Sequence, residues 1–248
     1  VAPDVNNRSE FFSWRGLTIY QHDKVLKVGI DAVLLGSWIR EVVPVAYSIL
    51  DAGTGTGILA MIAAGYFPEA TISAVDIDEQ SVSLAQFNVV QGGLESRISV
   101  IKSDLLDPSF ALAERLDLIV CNPPFYANRV LPKEAFNARS KHSSVPVGEW
   151  MKQLVANLKK DGHLCLIVPT AEAHIWICAA NESGYYNHHR TDVYSYASDT
   201  MAKRSLLHFT TQLWKPEFKR LVVYSEDKNY TSEYLSMSGI QPTQIHPC

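Results

Sequence analysis

The chain is expected to fold as an α/β protein, with a doubly wound, mostly parallel sheet and helices on both faces. Three observations predict this. Strand-like apolar runs alternate with helically spaced ones from residue 47 to residue 169, and such alternation implies right-handed crossovers and a parallel sheet. A glycine turn, Gly53-Thr54-Gly55-Thr56-Gly57, separates the first core strand from its helix. The last third shifts to strand-like runs with little helix between the first two, the pattern of an antiparallel hairpin at a sheet edge.

Taken in order, SWRGLTIYQHDKVLKVG (13–29) has two alternating runs around His22-Asp23 that read as a β-hairpin, and IDAVLLGSWIREV then reads as a helix. YSILDA (47–52) is the first core strand, and GILAMIAAGYF (57–67) has helical spacing. TISAVDID (71–78) is the second strand, followed by the helix EQSVSLAQFNVVQGG (79–93), which glycine ends. ISVIKSD (98–104) and LDLIVCN (116–122) are the third and fourth strands. GEWMKQLVANLKKDG (148–162) reads as an amphipathic helix with lysines in its last turn and a closing glycine, leading into the strand HLCLIVP (163–169). YYNHHRTDVYSY (185–196), RSLLHFTTQ (204–212) and KRLVVYS (219–225) are strand-like. Residues 1–45 are expected to append a hairpin and helix to a core of 46–248, effectively a single domain, with no repeat or linker to split it.

Composition narrows the classes. With 248 residues, 47% hydrophobic and 19% charged, the chain can bury a sizeable core. No stretch approaches the eighteen uninterrupted apolar residues of a membrane span, and the first residues lack the layout of a secretory signal, so a soluble, cytoplasmic chain is expected. The four cysteines, Cys121, Cys165, Cys178 and Cys248, show no CxxC pairing, and two of them end or interrupt apolar strand-like runs, which suits buried thiols in a reducing compartment. The eight histidines offer no spacing such as HExxH, and adjacent His188 and His189 would point to opposite faces of a strand, so no metal is expected. A net charge of −4 argues against nonspecific coating of nucleic acid. A local basic segment remains, in which Arg129, Lys133, Arg139, Lys141 and His142 stand against one acid, Glu134, with Phe125, Tyr126 and Phe136 interleaved. The same composition suits a solvated loop.

The chemistry begins at ILDAGTGTGIL (49–59). Gly53, Gly55 and Gly57 let the backbone turn sharply and let a ligand approach without Cβ interference. The pattern is G-x-G-x-G rather than the dinucleotide fingerprint G-x-G-x-x-G, and Asp51 precedes it. That carboxylate would repel a pyrophosphate and engage an ammonium, which points to a nucleoside carrying an amino acid. Asp76, at the end of the second strand, is placed to take both ribose hydroxyls. Asp78 reads as the N-cap of the following helix. Asp104, on the same rim, is placed to receive an adenine amino group. Any one aspartate is commonly a cap or turn former; three at converging strand ends make a cofactor site.

The fourth strand stops at Asn122-Pro123-Pro124-Phe125. Two prolines remove two backbone donors and fix two φ angles, so a central strand cannot continue there. LDAGTGTG, AVDID, KSD and CNPPF, in that order, resemble a class I S-adenosylmethionine-dependent methyltransferase over residues 46–212. Asn-Pro-Pro-aromatic narrows the likeness to amino-group methylation. The resemblance implies a Rossmann-like seven-stranded sheet with an antiparallel edge hairpin, and S-adenosylmethionine lying across the first three strand ends. The target amine is a poor nucleophile because its lone pair is delocalised. Two acceptors holding its N–H groups can turn the lone pair toward the sulfonium methyl, and the Asn122 side-chain oxygen and Pro123 carbonyl are the candidates. Pro124 stiffens the geometry with Pro123, and Phe125 offers a stacking face for a flipped-out base.

This tetrapeptide serves two substrate classes, nucleic-acid adenine and release-factor glutamine; a cofactor-binding module without transfer activity is a third reading. The flanks discriminate: LKVGIDAVLLGSW (26–38), RTDVYS (190–195) and RLVVYSEDKNYTSEY (220–234) resemble the bacterial tRNA adenine-N6 methyltransferases that act on valine tRNA beside the anticodon. Protein glutamine methylation and rRNA adenine methylation are the alternatives. By this likeness the catalytic residues are Asn122, Pro123, Pro124 and Phe125. The cofactor residues are Lys27, Asp31, Asp51, Gly53, Gly55, Gly57, Asp76, Ile77, Asp104, Leu105 and Asn122. Phe125, Arg139, Lys141 and His142 would hold the tRNA. Lys27 and Asp31 are equally readable as a solvated lysine and a helix N-terminal carboxylate. Where the family often has tyrosine, Phe125 keeps the ring and loses a hydroxyl. A monomer is expected.

Overall fold

A computed structural model of the chain describes residues 11–21, 25, 29–107, 109–123 and 145–240. Lys27, Pro124, Phe125, Arg139, Lys141 and His142 lie outside them, as do His22 and Asp23.

The hairpin sits earlier than the sequence suggested. β1 (Phe11–Trp14) and β2 (Leu17–Tyr20) pair antiparallel across Arg15-Gly16, whose φ angles of 46° and 84° are both positive. Two positive φ angles make the primed two-residue turn that matches strand twist, and the Arg-Gly pair supplies it. Trp14 and Ile19 are buried, and Trp14 Nε1 donates to the Ser238 carbonyl at 2.9 Å.

α1 (Ile30–Val42) follows as expected. The core then alternates: β3 (Ser48–Ala52), α2 (Ile58–Tyr66), β4 (Thr71–Asp76), α3 (Glu79–Gln91), β5 (Ile98–Lys102) and β6 (Leu116–Cys121). After α4 (Val147–Ala156) and β7 (Leu158–Pro169) come α5 (Ala173–Glu182), β8 (Tyr186–Tyr196), β9 (Arg204–Thr210), β10 (Glu217–Tyr224) and α6 (Ser232–Ser238). The sheet order is β10-β8-β9-β7-β6-β3-β4-β5, parallel except for β9, which runs antiparallel to β7 and β8. This is the doubly wound sheet expected, with an eighth strand, β10, added in parallel outside β8.

Two local readings are corrected. The helix expected to run to Gly162 ends at Ala156, because Asn157 caps it: its N–H donates to the Leu154 carbonyl and its side-chain amide to the Gln153 carbonyl. LKKDG belongs to β7, where Lys159 Nζ meets Asp117 Oδ1 at 2.7 Å. Gly162 serves close approach rather than a helix cap, since a Cβ there would lie 2.9 Å from the Leu116 carbonyl oxygen. Nor do His188 and His189 face opposite ways. A bulge in β8 shifts the register between Asn187 and His189, and the two rings lie 4.3 Å apart, centroid to centroid.

Helices cover both faces. Leu34, Leu35, Trp38 and Ile39 of α1 pack with Met61 and Ile62 of α2 and Met237 of α6 on one side. On the other lie Trp150, Met151 and Leu154 of α4 with Trp176 and Ala180 of α5. Trp38 Nε1 donates to Thr191 Oγ1 at 3.1 Å, tying α1 to β8. Cys121 and Cys165 are free and wholly buried, and burial pushes both thiols well above the ordinary range. Among the described residues no helix is long and apolar enough to cross a membrane.

Candidate functional site

The site is the rim formed by the C-terminal ends of β3, β4, β5 and β6, where open α/β sheets bind ligands. Register decides which residues meet there. Ala52 pairs with both Val75 and Cys121, so Gly53, Asp76 and Asn122 emerge side by side.

The glycine turn follows β3. Gly53, Gly55 and Gly57 have φ angles of 80°, 57° and 86°, a region where side chains are strained. Gly53 and Thr54 both donate their N–H to the Val75 carbonyl at 2.9 Å, which fixes the turn against β4. A Cβ at Gly53 or Gly55 would meet nothing within 4 Å, so the outer face of the turn is open to a ligand. At Gly57 a Cβ would lie 3.3 Å from Ala85, so this glycine permits contact between α2 and α3.

Asp51 is fully buried beneath the turn. Its Oδ2 accepts from Thr54 Oγ1 at 2.6 Å and from the Ala60 N–H at 3.0 Å, bracing the turn to α2. Its Oδ1 has no hydrogen-bond partner among the described residues. Burial above all, with the nearby Asp76 charge, pushes its carboxyl up to about 7 against the hydrogen bonds from Thr54 and Ala60. Asp76 is 5% exposed; its Oδ2 accepts from the Gly55 N–H at 2.9 Å and its Oδ1 from the Asp78 N–H at 3.0 Å. These two bonds fix the carboxylate against the glycine turn and the start of α3. Asp78 caps α3 as expected, accepting from the Ser81 N–H at 2.9 Å. Asp104 accepts from the Leu106 N–H at 2.8 Å; Leu105 is buried and Ile77 half-buried.

Asn122 is half-buried directly after β6, and its Oδ1 is a buried acceptor without a partner among the described residues; Pro123 is buried beside it. A buried acceptor left unsatisfied costs about 1–3 kcal/mol, which ligand donors would recover. Asp31, 5% exposed at the start of α1, binds Arg204 Nε at 3.0 Å, and Arg204 sits opposite Pro169 at the C-terminal end of β7. Asp31 is thus held on the same rim but is engaged by an arginine.

Sequence reasoning missed Asn88. It lies one turn after Leu84 on the apolar stripe of α3, is fully buried, and donates to the Thr56 carbonyl at 2.8 Å and the Tyr20 carbonyl at 3.0 Å. Its Oδ1 accepts the Tyr20 N–H at 2.8 Å. One side chain therefore holds both the glycine turn and the N-terminal hairpin. The available signal was an asparagine at a core position of a helix.

The site fits a nucleoside bearing an amino acid, with an open glycine face, an Asp76 carboxylate beside it and an orphan acceptor at Asp51, while the orphan acceptor at Asn122 is left for a second ligand's donors. Residues 33–171 match the methyltransferase small domain family. The tRNA1(Val) (adenine(37)-N6)-methyltransferase of Bacteroides thetaiotaomicron is 35% identical over 203 residues, 81% of this chain and 83% of that protein. The Flavobacterium psychrophilum protein of the same name is 31% identical over 231 residues, 92% of this chain and 97% of that one. A methyltransferase from Pyrococcus furiosus shares the fold, with a TM-score of 0.59 at 18% identity over 80% of this chain and 91% of that one. With the family match spanning more than half its length, the chain belongs to the methyltransferase small-domain family.

Proposed function

We propose that the chain methylates the exocyclic N6 of adenine 37 in a valine tRNA, with S-adenosylmethionine as methyl donor. The Bacteroides thetaiotaomicron and Flavobacterium psychrophilum relatives, each matching most of the chain, carry that activity in their names. The structural observation that carries the chemistry is the unsatisfied Asn122 Oδ1 beside the glycine turn.

S-adenosylmethionine, when bound, supplies an electrophilic methyl on sulfur. The chain's own work is to bind, orient and accept hydrogen bonds. Asp76 would take the ribose hydroxyls, Asp51 Oδ1 would face the ammonium, and Asp104 with Ile77 and Leu105 would border the adenine. Asn122 Oδ1 and the Pro123 carbonyl accept the two N–H bonds of the target amine, turning its lone pair out of conjugation. No general base has to act first, since the amine proton becomes acidic only as the new bond forms. Phe125 would stack the base, and Arg139, Lys141 and His142 would hold RNA phosphates. A reducing cytoplasm suits the free thiols of Cys121 and Cys165.

The test offers labelled S-adenosylmethionine with unmodified valine tRNA and, separately, with a release-factor peptide. Label should appear on adenine 37 alone. Asn122→Ala should cut transfer at least about 100-fold while cofactor affinity stays within about twofold. Transfer to the peptide, or an active Asn122→Ala, would overturn the assignment.

A further inference from the structure

At the end of the sheet away from the rim lie four histidines that the proposed reaction does not use. His163 of β7, His188 and His189 of β8 and His208 of β9 come together there. His163 falls beside Leu118, four residues before Asn122, so the cluster stands about 13 Å along the strands from the site.

The β8 bulge creates this arrangement. Asn187, 7% exposed, donates its side-chain amide to the carbonyls of both His189 and His208, at 3.0 and 3.1 Å, and holds the extra residue in place. The ligand nitrogens of His188, His189 and His208 consequently lie within 4.8 Å of one another.

Two rings are oriented from behind. His208 Nε2 lies 2.9 Å from His163 Nδ1, and His189 Nε2 lies 3.6 Å from Glu217 Oε2. His189 Nδ1 and His208 Nδ1 lie 2.9 Å apart, hydrogen-bond distance, so in the metal-free protein one ring donates to the other. A cation replacing that shared proton would be held by both nitrogens, the proton being released to solvent as the ion binds. An outer carboxylate or imidazole fixing the tautomer of a ligating histidine is the arrangement metal centres use. Nitrogens 2.9 Å apart, each about 2.05 Å from an ion, subtend about 90°, the angle of a tetragonal or octahedral centre rather than a tetrahedral one.

We propose that His188, His189 and His208 bind one divalent transition-metal ion of the nickel–copper class, clipping β8 to β9. Trp214, 61% exposed, stacks on the His188 ring at 6.3 Å, and His188 and His189 are themselves part-exposed. Among the described residues, Glu217, Lys219, Asp117 and Asp161 are the charged groups acting on the cluster.

The full chain, stripped of metal, is titrated with Ni(II) by calorimetry, and its Cu(II) complex is examined by electron paramagnetic resonance. One ion per chain should bind at micromolar or lower concentration, with nitrogen hyperfine structure in the copper spectrum. A hundredfold excess of Ni(II) over Kd should raise Tm by about 5 °C or more. His189→Ala should weaken binding at least tenfold while cofactor affinity is unchanged, and His174→Ala, outside the cluster, should bind as the parent does. If His189→Ala fails to fold in metal-free buffer, His188→Ala, at a half-exposed position, carries the same comparison. Absence of saturable binding, or parent-like affinity in the variant that folds, would overturn the proposal.

Discussion

Asp51→Asn isolates the electrostatic cost built into the glycine turn. In the folded chain the carboxyl sits near 7 rather than 3.8, because burial disfavours the ion. That difference corresponds to about 4 kcal/mol against the ionised native state. The sign follows from proton counts. Between about pH 4 and 7 the native state holds a proton that the unfolded chain has released, so this contribution to stability falls as pH rises through that window. Asparagine keeps the shape, can accept from Thr54 and Ala60, and carries no charge. Relative to the parent, Asp51→Asn without cofactor should gain about 4 kcal/mol at pH 8 and about 1.5 kcal/mol at pH 5, and the roughly 2.5 kcal/mol difference is the diagnostic quantity. Neutral hydrogen-bond losses affect both pH values equally and cancel. Urea unfolding at the two pH values measures it, and calorimetry with S-adenosylmethionine should show weaker binding for the variant at pH 8. An effect equal at both pH values, or a greater gain at pH 5, would refute the reasoning.

Three further outcomes follow from the same geometry. Gly55→Ala should cost about 1–2 kcal/mol for its left-handed φ, and should raise the cofactor Kd at least about tenfold by filling the open face of the turn; calorimetry alongside thermal unfolding separates the two. Asn88→Leu removes three hydrogen bonds and should cost about 3 kcal/mol, read by urea unfolding, with faster hydrogen exchange at the Tyr20 amide. In tRNA assays Asn122→Ala should lose turnover rather than cofactor affinity, as a group engaged with the target amine requires.

How much was legible can be argued from particular residues. Alternation of strand and helix, the glycine turn, the Asp78 cap and the Asn-Pro-Pro stop were readable because each is a local constraint: a period, a φ angle, a missing donor. The hairpin and the end of α4 were misplaced for a local reason too, since Arg15-Gly16 and Asn157 offer turn and cap chemistry that competing apolar patterns masked. Asn88 was invisible because its partners, Thr56 and Tyr20, are 32 and 68 residues away.

The sequence by itself determined the fold class, the amino-group chemistry of the Asn-Pro-Pro stop and the aspartates at the strand ends, because these follow from residue types at short spacing. Only the tertiary structure decided that Asp51 is buried beneath the glycine turn, that Asp31 is engaged by Arg204, and that His188 and His189 share a face. Burial, ion pairing and a one-residue bulge are properties of strand register and packing, and register is set between segments far apart in the chain.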